Sequence, residues 1–413
     1  MNKIFFGWYV VAAAVVLVTY QSLMFIFGFT AFMSPIAATF GWTMAQVAFA
    51  SSLRGLETGT LDPFLGMAAD RWPARRLIVT GLFILALGTF IISQATGLIM
   101  FYAGFLVVGL GSGLSVYMVP TTVIARWFRK NIGKASGVLA MGFALGGLFV
   151  PLLTMAIDTY GWQDTLVYLS VGILIIGLPL VAFFRNSPEE YGLLPDGEVT
   201  GDAEKPGLDD SDIGVKEALK TRVFWFLGLS SMFQMAAMLA VNIHLMPYLT
   251  SLGIARSVAA LAVTIYSFAT LTARIPFGVM ADIFTKKYVM AVSLGLTTVG
   301  LVLYGMIDGS SFAMVVLFTV VYGLGTAGAM PLRAAIIREY FGARKFGTIY
   351  GIVSVFTTVG SAIGAPLAGW VFDSSGQYDP IWYIFAALVA LGTVLILIIP
   401  HSPGHRDNAG ERV

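Results

Sequence analysis

Twelve long apolar runs follow one another along this chain, separated by short polar breaks. The runs cover about 7–33, 43–69, 77–95, 98–125, 133–157, 165–184, 222–248, 257–281, 288–307, 312–336, 347–372 and 380–400. Each has about twenty residues or more, enough for a helix to cross about 30 Å of hydrocarbon. Runs this long lack the strict alternation of a membrane barrel, so helices are expected throughout. Composition supports the same reading. Hydrophobic residues make up 58% of the 413 and charged residues only 11%, against about 25% charged in a soluble domain. The first run begins just after Lys3 and is too long for a cleaved signal region, so it is expected to remain as span 1. The expectation is an all-α membrane protein with twelve transmembrane helices.

Lysine and arginine positions orient the spans. Arg71, Arg75 and Arg76 follow span 2; Arg126, Arg129, Lys130 and Lys134 lie between spans 4 and 5. Lys286 and Lys287 follow span 8, and Arg338, Arg344 and Lys345 follow span 10. The alternate loops carry Asp158, Asp164, Asp308, Asp373 and Asp379, with Arg256 as the exception. The positive-inside rule then places both termini and the 186–220 segment in the cytoplasm. That segment is rich in Pro, Gly and acids, among them Glu189, Glu190, Asp196 and Asp212, and reads as a flexible linker with a short amphipathic piece at 214–220.

The two halves of the chain superpose. Gly66, Asp70, Arg71, Arg75 and Arg76 close span 2, and Gly278, Asp282, Lys286 and Lys287 close span 8. The same shift lays Gly41 on Gly253 and Arg126 on Arg338. Gly-x-x-x-Asp-Arg-x-x-x-Arg-Arg resembles the signature loop of the major facilitator superfamily, with a degenerate copy in the second half. The resemblance implies two pseudo-symmetric six-helix bundles, at 1–185 and 221–413, joined by the 186–220 linker. It also implies alternating access, with these loops as a gating latch, and a monomer.

Shorter stretches resemble the monocarboxylate transporters and the bacterial oxalate–formate exchangers: Gly7-Trp8-Tyr9-Val10-Val11, Ala125-Arg126-Trp127-Phe128, Gly133-Lys134-Ala135-Ser136-Gly137 and Ala273-Arg274-Ile275-Pro276-Phe277-Gly278. In those families the span-8 Arg binds the substrate carboxylate, a role that the resemblance assigns to Arg274. It likewise makes Tyr117 in span 4 a cavity-facing residue. Thr270 stands where eukaryotic relatives carry Asp, and spans 1 and 11 have no Lys, which argues against a dianion.

Charges inside the spans are few, and such groups usually pair or face a cavity. Arg274 lies eight residues before Asp282, roughly 12 Å along a helix, near mid-membrane. A planar guanidinium suits a carboxylate because it donates two parallel hydrogen bonds. The alternative partner is Asp62, its repeat equivalent. Arg54 and Glu57 are three apart in span 2 and share a helical face. They form either a self-neutralising pair or, with Asp62, the proton-coupling group. His244, near Asn242 and Pro247, either contacts substrate or is satisfied by a neighbour. Arg333 reads as a snorkelling or gating residue. Tyr266 and Tyr322 are further candidates to orient a carboxylate. Gly142, Gly146, Gly147 and Pro151, echoed by Gly360, Gly364 and Pro366, read as a packing seam.

These features favour a secondary transporter of small monocarboxylates, lactate- or pyruvate-like, coupled to protons. Exchange of carboxylate anions is the main alternative; a multidrug efflux carrier and a transporter-like sensor are weaker ones. An enzyme is not expected. Cysteine is absent and the three histidines are scattered at 244, 401 and 405, so no metal or other cofactor is expected. The expected partners are the carboxylate, protons and membrane lipid, without nucleic acid. The N-terminus has no transit-peptide character, which suits a prokaryotic inner membrane.

Overall fold

The computed structural model of the protein describes residues 5–197, 213–308, 311–375 and 377–400. Sixteen α-helices run through them: α1 (Gly7–Phe25), α2 (Phe29–Phe40), α3 (Met44–Arg71), α4 (Ala74–Ser93), α5 (Leu98–Ser112), α6 (Met118–Trp127), α7 (Ile132–Leu148), α8 (Val150–Val181), α9 (Val215–Ala218), α10 (Arg222–Ser251), α11 (Arg256–Ile283), α12 (Lys286–Gly305), α13 (Phe312–Ala327), α14 (Ala329–Phe341), α15 (Phe346–Ser375) and α16 (Asp379–Ile398). The described residues contain no strand. This follows from the solvent: in lipid a backbone amide has no water to bond, and only a helix satisfies its N–H and C=O groups within one segment.

Among the described residues, ten stretches are long and apolar enough to cross a membrane. The expected count of twelve differs for two local reasons. Span 2 is helical as α3, but Arg54, Glu57 and Asp62 interrupt its apolar run. Span 5 is divided between α7 and the start of α8, which bends at Gly161, where φ is 81°. Span 1 is likewise two helices, α1 and α2, separated at 26–28. Span 4 is α5 and α6, joined by a π-helical turn at Gly113–Tyr117. Span 10 is α13 and α14, interrupted at Gly328.

The repeat read from sequence reappears in local geometry. Gly41 ends α2 at φ 67°, and Gly253 takes φ 80° just after α10. Both adopt the left-handed region that glycine enters at no steric cost. Thr43 then starts α3 with a reciprocal cap. Its Oγ1 accepts from the Gln46 N–H at 3.2 Å, and its own N–H donates to Gln46 Oε1 at 2.9 Å.

The chain forms two compact units. Unit 1 comprises residues 1–130, 138–205 and 343–352; unit 2 comprises 131–137, 206–342 and 353–413. In unit 1, α4 packs on α5 and α8. In unit 2, α12 packs on α13 and α16, and Ser293 Oγ donates to Gly325 O at 2.6 Å. Association here relies on close packing and interhelical hydrogen bonds, since lipid is as apolar as the helix surfaces. The small-residue seam serves that packing. A Cβ at Gly146 would lie 2.7 Å from Leu23 N in unit 1, and one at Gly364 would lie 2.1 Å from Ala236 O in unit 2. Of the linker, two short 3-10 turns (Glu189–Tyr191 and Pro195–Gly197) and α9 are described; the acids at 198–212 lie outside the described residues.

Candidate functional site

Unit 2 gathers four of the residues singled out from sequence around one tyrosine. Tyr266 on α11 is buried, and Arg274, two turns further along the same helix, lies close enough to interact with its hydroxyl electrostatically. Asn242 of α10, Thr270 of α11 and Thr326 of α13 lie near that hydroxyl; Thr270 Oγ1 donates to Tyr266 O at 2.9 Å and Thr326 Oγ1 to Tyr322 O at 3.1 Å. The Tyr266 ring lies 5.6 Å from the ring of Tyr322 on α13. Tyr322 is fully buried, and its hydroxyl has no hydrogen-bond partner among the described residues. Arg274 itself is half-buried. The arrangement is therefore a patch of donors, guanidinium, phenol and amide, set among apolar helices.

Thr326 is the residue that sequence reasoning missed as a neighbour of this site; Thr270 was noted only as standing where relatives carry Asp. Thr270 lies four residues before Arg274 and Thr326 four after Tyr322, the spacing that stacks side chains on one helical face. That spacing was the available signal.

Tyr117 belongs to unit 1, at the end of the π-helical turn. Its ring stacks on Phe143 with centroids 5.4 Å apart and planes 13° apart. Its hydroxyl donates to Gln21 Oε1 of α1. Gln21 Nε2 donates to Ser112 Oγ at 3.4 Å, and Ser112 Oγ donates to Val108 O at 2.7 Å. Gln21 and Ser112 are both buried, and neither was singled out from sequence.

His244 is held by its neighbours. Nδ1 lies 3.2 Å from the Tyr378 hydroxyl and Nε2 lies 3.1 Å from Ala365 O. A carbonyl oxygen only accepts, so Nε2 carries the proton and Nδ1 accepts from Tyr378. Asp62 is buried within α3. Arg54 and Glu57 belong to the same helix, and their side chains lie outside the described residues. Arg333 lies in α14.

The two signature loops form matching clamps. In unit 1, Asp70 accepts from the N–H of Gly347 at 3.1 Å and of Thr348 at 2.9 Å, and from Thr348 Oγ1 at 2.7 Å. Arg126 Nη2 stands 3.7 Å from the same carboxylate and donates to Ala69 O at 2.8 Å. In unit 2, Asp282 accepts from the N–H of Gly133 and of Lys134, both at 2.7 Å. Each aspartate thus sits at the start of a helix, α15 or α7, where unpaired N–H groups and the helix dipole favour negative charge. The glycines make the approach possible. A Cβ at Gly66 would lie 2.1 Å from Gly347 O, and one at Gly278 would lie 2.4 Å from Gly133 O. Arg75 donates to Phe184 O and Ala182 O, both at 2.8 Å, while Arg71 and Arg76 are exposed. Lys286 pairs with Glu339 at 2.6 Å, and the buried Lys287 donates to Ile399 O at 3.0 Å.

A helical membrane chain with a repeated Asp clamp and an intramembrane arginine patch is the architecture of a secondary transporter. Residues 13–255 and 231–413 match the family model of the Major Facilitator Superfamily, and the chain belongs to that family. It is 25% identical to monocarboxylate transporter 13 of Bos taurus over 404 residues, covering 96% of this chain and 89% of the relative. It is 27% identical to the oxalate:formate antiporter of Oxalobacter formigenes over 355 residues, covering 83% and 82%. Among solved structures it resembles the human organic anion transporter MFSD10, at 13% identity and TM-score 0.69, covering 95% of this chain and 98% of that one. That last likeness concerns the fold.

Proposed function

We propose that this chain carries small monocarboxylates, lactate- or pyruvate-like, across a membrane by alternating access coupled to protons. The observation that carries the reading is the donor patch in unit 2, where Arg274 interacts with Tyr266, whose ring lies 5.6 Å from that of Tyr322, a buried tyrosine whose hydroxyl has no hydrogen-bond partner among the described residues. A buried hydroxyl without a partner costs about 1–3 kcal/mol. An oxygen-rich anion at Arg274 offsets that cost, and a desolvated guanidinium favours a negative ligand. Kinship with a monocarboxylate transporter supports the same substrate class.

In this reading Arg274 anchors the carboxylate, and Tyr117, Asn242, Tyr266, Tyr322 and His244 shape what else is accepted. Glu57 and Asp62, with Arg54 nearby, take up the proton. The bundles 1–185 and 221–413 are the rocking halves, joined by the 186–220 linker. The Asp70 and Asp282 clamps latch one state by gripping the starts of α15 and α7. Both termini face the cytoplasm of a prokaryotic inner membrane, and the carrier works as a monomer. Exchange of two carboxylates is the second reading, favoured by kinship with an oxalate:formate antiporter.

The test is uptake of labelled L-lactate into proteoliposomes under an inward proton gradient, wild type beside Arg274→Ala. Gradient-driven uptake that Arg274→Ala abolishes in a folded protein is the expected result. Uptake that needs preloaded formate, acetate or pyruvate instead of a gradient selects exchange. No uptake in either format sinks the monocarboxylate reading. Uptake that survives in Arg274→Ala moves the anchor elsewhere.

A further inference from the structure

Two carboxylates from distant parts of the chain grip the short connection between α6 and α7. Asp196 Oδ2 accepts from the N–H of Arg129 at 2.8 Å and of Lys130 at 2.6 Å. Asp282 accepts from the N–H of Gly133 and of Lys134, both at 2.7 Å. Only Asn131 and Ile132 separate the two grips. Three residues of backbone reach about 10 Å at most, so fixing one end of this tether confines the other. The chain also passes from unit 1 to unit 2 between Lys130 and Asn131. Asp196 therefore holds the last two residues of unit 1, and Asp282 holds the first turn of the helix that follows.

Asp196 is delivered by a strap, residues 185–197, that is fastened to unit 1 along its length. The Arg185 guanidinium lies between the rings of Phe6 and Tyr191, 4.0 Å from each centroid. Trp127 Nε1, at the end of α6, donates to Arg185 O at 2.9 Å. Asn186 Oδ1 accepts from the N–H of Ala74 at 2.6 Å, at the start of α4, and Asn186 Nδ2 donates to Glu190 Oε1 at 3.3 Å. Asp196 itself has φ 63°, the single non-glycine residue in the left-handed region among the described residues. Glycine enters that region more easily. What aspartate brings there, and glycine lacks, is the carboxylate.

We infer that Asp196 is a positioning residue of the latch: by fixing Arg129 and Lys130 it presents Gly133 and Lys134 to Asp282, so that the first part of the linker controls the clamp as well as joining the halves. The inference rests on the reading of this chain as an alternating-access carrier whose Asp282 clamp holds one state. Ordering the backbone of one residue is worth about tenfold in an equilibrium constant. With Asp196 in place that ordering is complete before Asp282 closes, which tightens the clamp without adding a contact to it.

The test reads the two grips separately, by amide hydrogen exchange in the full-length protein labelled with 15N-lysine. Lys130 reports the Asp196 grip and Lys134 the Asp282 grip. Asp282→Ala should raise exchange at Lys134. Asp196→Gly removes the carboxylate and eases the backbone; it should raise exchange at Lys130 and, by about tenfold, at Lys134. In the Asp282→Ala background, Asp196→Gly should add nothing at Lys134. A strap that only completes the fold of unit 1 would expose Lys130 and leave Lys134 unmoved, and that result overturns the inference. An unmoved Lys130, a Lys134 indifferent to Asp282→Ala, or an equal further rise in the Asp282→Ala background overturns it too. Should Asp196→Gly fail to insert, Asp196→Asn keeps an acceptor oxygen but loses the charge, and should give a smaller rise at both lysines; no rise refutes the proposal. Proteoliposomes that take up no carboxylate, with the expected exchange pattern intact, would remove the carrier reading and leave the coupling of the two grips standing.

Discussion

Two polar patches, one around Gln21 in unit 1 and one around Tyr322 in unit 2, are built differently. Around Gln21 in unit 1, hydroxyl, amide and carbonyl form one continuous chain from Tyr117 to Val108, with each group matched to the next. In unit 2, Tyr322 Oη, Gln234 Nε2 and Ser231 Oγ are buried without hydrogen-bond partners among the described residues. The 212-residue shift that lays Gly41 on Gly253 lays Gln234 on Ser22, so the two amides do not occupy equivalent repeat positions. A satisfied buried network is rigid and sets polarity in advance, whereas unsatisfied donors raise the free energy of the empty state and favour whatever brings acceptors. The Gln21 chain is preorganised; the Tyr322 patch is poised.

The most direct way to break this contrast is to remove the charge. Arg274→Ala should cut uptake by about thirtyfold or more, since losing one partner of a buried hydrogen-bonded charge pair costs about 2–5 kcal/mol. Arg274→Lys should recover only part of it, because a point charge cannot replace a planar fork. Uptake assays on protein of verified fold check both.

Tyr322→Phe sharpens the comparison. Removing a hydroxyl that has no hydrogen-bond partner among the described residues should leave the melting temperature unchanged or slightly higher, while raising KM by roughly tenfold if the substrate is its partner. A fall in melting temperature with unchanged KM would show that unit 2 is already satisfied without ligand, and the contrast would collapse.

The clamps give a smaller effect. Asp70 accepts three hydrogen bonds and stands by Arg126, and Asp282 accepts the N–H groups of Gly133 and Lys134. Asp70→Ala and Asp282→Ala should each destabilise by about 1–2 kcal/mol. Thermal unfolding in detergent checks both, and unchanged melting in either variant would mean that its clamp adds nothing to the fold.

The smallest effect is expected at His244, where both ring nitrogens already have protein partners. His244→Gln should change uptake less than about threefold, since its amide can still donate to Ala365 O and accept from Tyr378. A loss comparable to that of Arg274→Ala would move the residue into the substrate site.

Much of this was legible in the chain. Asn242, Tyr266, Arg274 and Tyr322 were marked because polar groups are rare in apolar helices, and the structure brings them together. Gln21 was not marked. It lies inside an uncharged apolar run, 96 residues from Tyr117, and nothing local distinguishes it from a solvated amide. Ser112 was missed because serine is common in transmembrane helices, where it often bonds its own backbone, as it does here to Val108 O. The span count differed where charge within α3 and the division of span 5 between α7 and α8 defeat an apolar window.

By itself the sequence determined that this is a helical membrane chain, repeated in halves, with an arginine within span 8. Hydropathy, glycine spacing and charge are properties of consecutive residues, so they can be read along one dimension. Only the tertiary structure decided which groups meet: that Asp70 holds the start of α15, that the Tyr322 hydroxyl has no hydrogen-bond partner among the described residues, and that Tyr117 meets Gln21. Hydrogen-bond partners depend on every neighbour at once, and in this protein those neighbours are brought together from helices far apart in the chain.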